Sequence, residues 1–152
     1  MLLVGYGNPG RGDDGLGPAL AESIARQRVP GLVVDVDYQL VAEHALAVSA
    51  HDTVIFADAE IGGKEACSFR RIAGGALQSL ESHSLAPETI LALCETLYGA
   101  KPRGFVLGIT GYAFGEVKEG LSAQAAANLV RAEKYLLSWL AANPPAAAER
   151  IP

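Results

Sequence analysis

Short apolar runs alternate along the chain with stretches whose apolar residues recur every three or four positions. The apolar runs are typical of strands covered on both faces, and the recurring stretches are typical of amphipathic helices. The predicted strands lie at 2–4, 32–36, 53–57, 67–72 and 104–109, and the predicted helices begin near 16, 41, 87 and 122. Because Arg70 and Arg71 lie in the fourth run, it is expected at or near a sheet edge. This order predicts an α/β fold, a single three-layer domain with a mostly parallel twisted sheet of about five strands and helices on both faces.

The 152 residues are the length of one domain, and only the end of the chain departs from the pattern. After Asn143 the sequence has two prolines and an alanine run, with no apolar stripe that could dock on the domain. We therefore predict an α/β domain over residues 1–142 and a flexible C-terminal tail over 143–152.

The stretch from Leu2 to Gly17, LLVGYGNPGRGDDGLG, has the order strand, glycine-rich turn, helix. Its first residues are an apolar strand, and Leu16, Leu20 and Ile24 form one stripe of the helix that follows. Asp13 and Asp14 therefore lie at the carboxyl end of a strand, where open α/β sheets keep their ligand crevices.

Three interpretations of this stretch are open. Gly5, Gly7 and Gly10 match the dinucleotide fingerprint, with Asp35 as the acid for the ribose, but two aspartates beside a pyrophosphate are unfavourable. One aspartate can instead cap the helix, which leaves the second without a role. The remaining interpretation is a functional site built from the carboxylates.

Two further polar residues are expected at the same crevice. Asp58 follows the third predicted strand, and His83 lies in a loop just before a helix. Since the first and third strands of a parallel sheet end on the same side, Asp14 and Asp58 can converge, and two carboxylates with one imidazole suit a transition metal. Taken singly, Asp58 is also compatible with a turn residue and His83 with a loop hydrogen-bonding group.

Other residues and motifs add little chemistry. His44 and His51 are interpreted as surface groups, and Cys67 and Cys94 as small buried side chains, since they form no C-x-x-C pair. The sequence contains neither a G-x-S-x-G elbow nor an H-E-x-x-H motif.

Charge and hydropathy limit the function classes. A net charge of −5 and a pI of about 5.1 argue against nucleic-acid or anionic-membrane surfaces. The sequence gives no indication of a signal peptide or a transmembrane span, so we expect a cytoplasmic protein.

The opening motif G-Y-G-N-P-G-R-G-D-D-G-L-G resembles the N-terminal signature of the hydrogenase maturation endopeptidases. The resemblance extends over about residues 1–140 and includes Asp58, the pair Ser82-His83 and Gly120-Leu121-Ser122 before the last helix. It implies an aspartyl-type peptidase that removes the C-terminal extension of a nickel–iron hydrogenase large-subunit precursor.

The resemblance also implies site residues and a metal. The family's nickel-contacting acid, aspartate and histidine fall on Asp14, Asp58 and His83, and the nickel is expected to arrive with the nickel-loaded precursor. The resemblance also suggests a functional role for Asp35, and the nature of that role is open. Whether the metal or an aspartate activates the attacking water is open.

Two alternatives are open on the same residues. Gly7-Asn8-Pro9-Gly10 also resembles the opening of peptidyl-tRNA hydrolases, although the first histidine in the chain is His44 and not one close to the turn. A non-enzymatic nickel-sensing chaperone or docking module would use the same three ligands as the peptidase.

Overall fold

The computed structural model describes residues 1–75, 77 and 84–146. Within them the strands and helices follow each other in the order that the sequence pattern predicts. The elements are β1 (Leu2–Tyr6), a 3₁₀ turn (Gly12–Gly15), α1 (Leu16–Arg26), β2 (Val33–Asp37), α2 (His44–Ser49), β3 (Thr53–Ile61), β4 (Cys67–Ile72), α3 (Pro87–Tyr98), β5 (Arg103–Gly111) and α4 (Ala123–Ala142).

The five strands form one sheet in the order β2-β1-β3-β5-β4. Strands β2, β1, β3 and β5 are mutually parallel. Strand β4 pairs with β5 in the antiparallel direction at the far edge. The predicted fold class and the edge position of β4 are confirmed. Because β1 and β3 are neighbours, their carboxyl ends lie side by side.

Helices cover both faces of the sheet. On one face α2 and α3 pack on a core that includes Val4, Phe56 and Ile90, and on the other α1 and α4 pack on a core that includes Leu20, Ile55 and Leu136. The sheet is thus the middle of three layers. Its neighbouring residues point alternately to the two faces, which fixes the face on which each polar side chain at the strand ends emerges.

Local sequence signals place several boundaries. α3 ends at Gly99, whose φ of 65° is in the left-handed region that favours glycine. Ser122 caps α4, because its hydroxyl oxygen accepts a hydrogen bond from the Ala125 N–H at 3.3 Å. β3 is longer than predicted, since β5 continues to pair with it as far as the Ile61–Gly111 register.

The boundary between the domain and the C-terminal tail stays a prediction. α4 ends at Ala142, and Ala146 follows close to Gly31, where an added Cβ would lie 2.5 Å from the Ala146 carbonyl oxygen. Residues 147–152 lie outside the described part of the chain. Among the helices that the structure describes, none combines the length and the apolarity required to span a bilayer.

Candidate active site

Asp14 lies in the 3₁₀ turn between β1 and α1. Its carboxylate accepts a hydrogen bond from the Asn8 N–H at 2.7 Å and so closes the glycine-rich turn on itself. No side chain caps α1, so the expectation that an aspartate serves as its helix cap is wrong. Gly7 has a φ of 141°, and a Cβ there would lie 2.0 Å from the Asp14 carbonyl oxygen. The turn therefore needs glycine to bring Asp14 over the end of β1.

The backbone N–H groups of three glycines in this turn donate hydrogen bonds within the protein. Gly7 donates to the Asp37 carbonyl oxygen at 3.1 Å, Gly10 to the Asn8 side chain at 2.9 Å, and Gly12 to the Lys118 carbonyl oxygen at 2.7 Å. A dinucleotide turn directs such groups at a pyrophosphate. The geometry therefore does not support the dinucleotide interpretation of Gly5, Gly7 and Gly10.

Asp58 lies inside β3, and the prediction that it follows the strand is wrong. The pairing of β3 with β5 beyond this residue keeps its backbone extended, with Asp58 opposite Gly108. Asp58 shares a sheet face with Phe56 and with Tyr6 of the adjacent strand, and the Tyr6 hydroxyl donates a hydrogen bond to its carboxylate. The Ala59 N–H donates a second, at 2.7 Å.

The environment of Asp58 raises the pKa of its carboxyl group. Burial raises the pKa of this carboxyl to about 6, and the negative charge of Asp14 acts in the same direction against the hydrogen bonds from Ala59 and Tyr6. Burial and the charge of Asp58 also hold the pKa of Tyr6 well above its ordinary value. The charge of Asp14 therefore acts on Asp58 at the ends of β1 and β3, and Asp58 has a pKa of about 6.

Asp14 and Asp58 line one open cleft of about 520 Å³ at the carboxyl ends of β1 and β3. The other lining residues are Tyr6, Gly7, Asn8, Arg11, Tyr38, Gln39 and Ser84. The two aspartates therefore converge on one cleft, as the sequence predicted. The same lining contains a cationic side chain, that of Arg11.

His83 lies outside the described residues, as does Ser82. Its neighbour Ser84 lines the cleft, so the described chain reaches the cleft one residue after His83. Within 1–75, 77 and 84–146, no three His, Cys, Asp or Glu side chains are grouped as a metal site. Asp14 and Asp58 supply carboxylate oxygens, which by themselves are a partial ligand set for a transition metal.

Several residues near the cleft have positions that the sequence pattern did not predict. His44 is 6% exposed, so its interpretation as a surface group is wrong: the ring is buried at the start of α2, with Nε2 3.4 Å from an Asp37 carboxylate oxygen and 4.0 Å from one of Asp35. In the sequence, the two-residue spacing of Leu2, Val4 and Tyr6 was the available signal that these three side chains lie on the same face of the sheet.

Asp13 has a structural role that no sequence motif indicated. It is fully buried, and its carboxylate accepts hydrogen bonds from the N–H groups of Tyr112, Ala113 and Ser122 and from the Ser122 hydroxyl, all at 2.7–2.8 Å. Burial alone would raise the pKa of Asp13, but these bonds hold it below its ordinary value. Asp13 thus ties the turn that carries Asp14 to the loop before α4.

The two cysteines are free, and neither lines the cleft. Cys94 is buried, as predicted, and Cys67 is half-buried. Burial raises the pKa of both thiols, so neither is poised as a thiolate nucleophile.

Comparison with known proteins gives matches in structure. No protein-family model matches the chain, and no curated protein matches it in sequence. The hydrogenase maturating endopeptidase HybD from E. coli superposes with a TM-score of 0.71 over 94% of this chain and 93% of its own, at 22% identity. The [NiFe] hydrogenase maturation protease HycI from Thermococcus kodakarensis superposes with a TM-score of 0.68 over 92% and 91%, at 21% identity.

A third solved structure comes from another lineage. A hydrogenase 2 maturation peptidase from a Thaumarchaeota archaeon has a TM-score of 0.66 over 91% of this chain and 96% of its own, at 18% identity. The agreement extends over more than 90% of this chain and of each of these three proteins. The chain therefore has the fold of the hydrogenase maturation endopeptidases.

Proposed function

We propose that this chain is an endopeptidase that removes the C-terminal extension of a nickel–iron hydrogenase large-subunit precursor after nickel insertion. Asp14, Asp58 and His83 contact the nickel that the precursor carries. The nickel is part of the substrate, and its recognition restricts cleavage to precursors whose metal is in place.

The observation that carries the proposal is the convergence of Asp14 and Asp58 in one open cleft of this fold. The glycine turn of the signature motif presents Asp14, and β3 presents Asp58 beside it. Asp14 belongs to the opening motif that resembles the peptidase family, and Asp58 belongs to the wider resemblance along the chain. The cleft is open to solvent along the strand ends rather than enclosed in the core, and this openness is compatible with a polypeptide substrate.

Asp58 has the properties of a general base. In the metal-free chain, a pKa of about 6 leaves the Asp58 carboxylate largely ionised at pH 7. With one carboxylate oxygen on the nickel of the precursor, the other oxygen is the group that accepts a proton from an attacking water. The Tyr6 hydroxyl and the Ala59 N–H orient this carboxylate. Nickel in the precursor supplies Lewis acidity or positions the scissile peptide, and the chain contributes the base and the binding geometry.

A peptidyl-tRNA hydrolase activity has less support. The first histidine after the glycine turn, His44, is buried and does not line the cleft, and the net charge is −5. Phosphate backbones require basic surfaces, so this charge opposes tRNA binding.

The test is incubation of the purified chain with nickel-loaded and nickel-free large-subunit precursor, followed by intact-mass measurement. We expect loss of the C-terminal extension only from the nickel-loaded form. Binding of the loaded precursor without cleavage would contradict the peptidase activity and favour a non-enzymatic nickel-sensing chaperone or docking module.

A further inference from the structure

Tyr38 is the most exposed aromatic side chain near the cleft. It is 70% exposed, although it directly follows β2, whose backbone pairs with β1 up to the Tyr6–Asp37 register. A large aromatic side chain in water gives up favourable burial, and exposed aromatic side chains are frequent centres of protein-binding surfaces. Its position beside the two carboxylates is therefore significant.

The backbone that carries Tyr38 is held on both sides. The Asp37 carboxylate accepts a hydrogen bond from the Tyr38 N–H at 2.7 Å, and its other oxygen lies 3.4 Å from Nε2 of the buried His44. Two residues further on, the carbonyl oxygen of the fully buried Leu40 accepts a hydrogen bond from the Leu85 N–H at 3.0 Å. Tyr38 is thus presented from a fixed backbone, which lowers the entropy lost on binding.

Tyr38 also lines a second depression, a groove of about 260 Å³. Its lining consists of Gly7, Pro9, Pro18, Glu22, Val36, Asp37 and Tyr38. Gly7 and Tyr38 also line the cleft, so the two depressions share these residues and are neighbours. A polypeptide that extends from the cleft past Gly7 and Tyr38 would reach the groove.

The size and chemistry of the groove restrict its occupant. A volume of about 260 Å³ is below the range of about 300–1,000 Å³ that is usual for small-molecule pockets, and it suits one or two side chains of a peptide. Pro9, Pro18 and Val36 give an apolar surface, and the charged groups of the lining are the carboxylates of Glu22 and Asp37. An apolar side chain fits this surface, and an acidic one is repelled.

We propose that Tyr38 and the groove bind an extended segment of the precursor next to the scissile bond, with an apolar side chain seated against Pro9, Pro18 and Val36. This inference rests on the proposed peptidase function, because the precursor is the polypeptide that the cleft receives. Tyr38 packs over the seated side chain as the aromatic anchor. The Asp37–His44 pair positions Tyr38 through the hydrogen bond from the Tyr38 N–H.

The test uses two variants at exposed positions and one matched control. Tyr38→Ala removes the anchor, and Val36→Asp places a charge in the groove at a side chain that is 39% exposed. Tyr98→Ala is the control, because Tyr98 is 48% exposed at the end of α3 and lines neither the cleft nor the groove. Processing rates and surface plasmon resonance on immobilised nickel-loaded precursor are measured for all three, with circular dichroism to confirm folding.

We expect Tyr38→Ala and Val36→Asp each to raise KM and Kd by about tenfold or more with kcat within twofold, and Tyr98→Ala to match the wild type. Unchanged KM and Kd in both variants would overturn the inference, as would a fall in kcat alone. If the wild-type chain binds but does not cleave the precursor, and Tyr38→Ala weakens that binding, the docking surface stands and the peptidase function fails. If binding is absent or does not depend on Tyr38, the docking surface fails.

Discussion

Asp13 and Asp14 are adjacent in sequence and have opposite environments. Asp13 is fully buried and accepts four hydrogen bonds, whereas Asp14 is half-buried and accepts one from Asn8. We predict that replacing Asp13 destabilises the fold, and that replacing Asp14 with asparagine leaves the fold intact.

The magnitude follows from the hydrogen bonds. Asp13→Ala leaves three N–H groups and the Ser122 hydroxyl without their acceptor, and a buried unsatisfied donor costs about 1–3 kcal/mol. With partial hydration of the vacated space we expect a loss of about 4 kcal/mol, or about 12 °C in Tm for a chain of this size. Asp13→Asn keeps one acceptor oxygen and replaces the other with a donor, which reduces the loss to about 2 kcal/mol.

Urea denaturation at pH 7, with Asp14→Asn as the neighbouring control, measures both free energies of unfolding. The difference between wild type and Asp13→Asn should shrink as the pH falls below 3.8, the ordinary pKa of the aspartyl group. The pKa of Asp13 is lowered in the fold, so the stability it contributes is present above that pH and is lost as the carboxylate is protonated. A loss of less than about 1 kcal/mol for Asp13→Ala at pH 7 would refute the reasoning.

Two other predictions concern Asp58 and the tail. In the metal-free chain, Asp58 has a raised pKa of about 6, so its ionisation destabilises the fold as the pH rises from about 4 to 6. Asp58→Asn should therefore raise the free energy of unfolding at pH 7.5 by about 1.5 kcal/mol and change it little at pH 4. This figure is half of the free energy that the full pKa shift would give, because Asp58 is partly exposed to solvent. Equal effects at both pH values would contradict the prediction. A chain that ends at Asn143 should keep its Tm within about 3 °C, and a larger drop in differential scanning calorimetry would show that the last residues stabilise the domain.

The sequence was sufficient for the fold class because length, residue type and periodicity agree. The run 53–57 is short and rich in β-branched and aromatic residues, which favours a strand, and the stripe Leu16, Leu20, Ile24 favours a helix. Gly99 and Ser122 mark helix ends by local chemistry. The limits of β3 were less predictable, since pairing with β5 extends the strand through Asp58, Ala59 and Glu60, which are residue types depleted in strands.

The candidate site could be predicted only where topology alone brings residues together. Asp14 and Asp58 converge because parallel neighbouring strands end on one side, and that follows from the order of elements. The burial of His44 against Asp37 depends on how α2 packs on the sheet, and the bonds of Asp13 depend on a loop 100 residues away in sequence. Neither contact has a local signal.

The most direct test of the account is the processing of nickel-loaded precursor by Asp14→Asn. The substitution keeps the hydrogen bond from Asn8 possible and removes the anionic ligand, so stability should stay within about 1 kcal/mol of the wild type. We predict that its processing rate falls at least about tenfold, with a similar loss for His83→Ala. A folded Asp14→Asn chain that cleaves the precursor at the wild-type rate would contradict the assignment of Asp14 to nickel recognition.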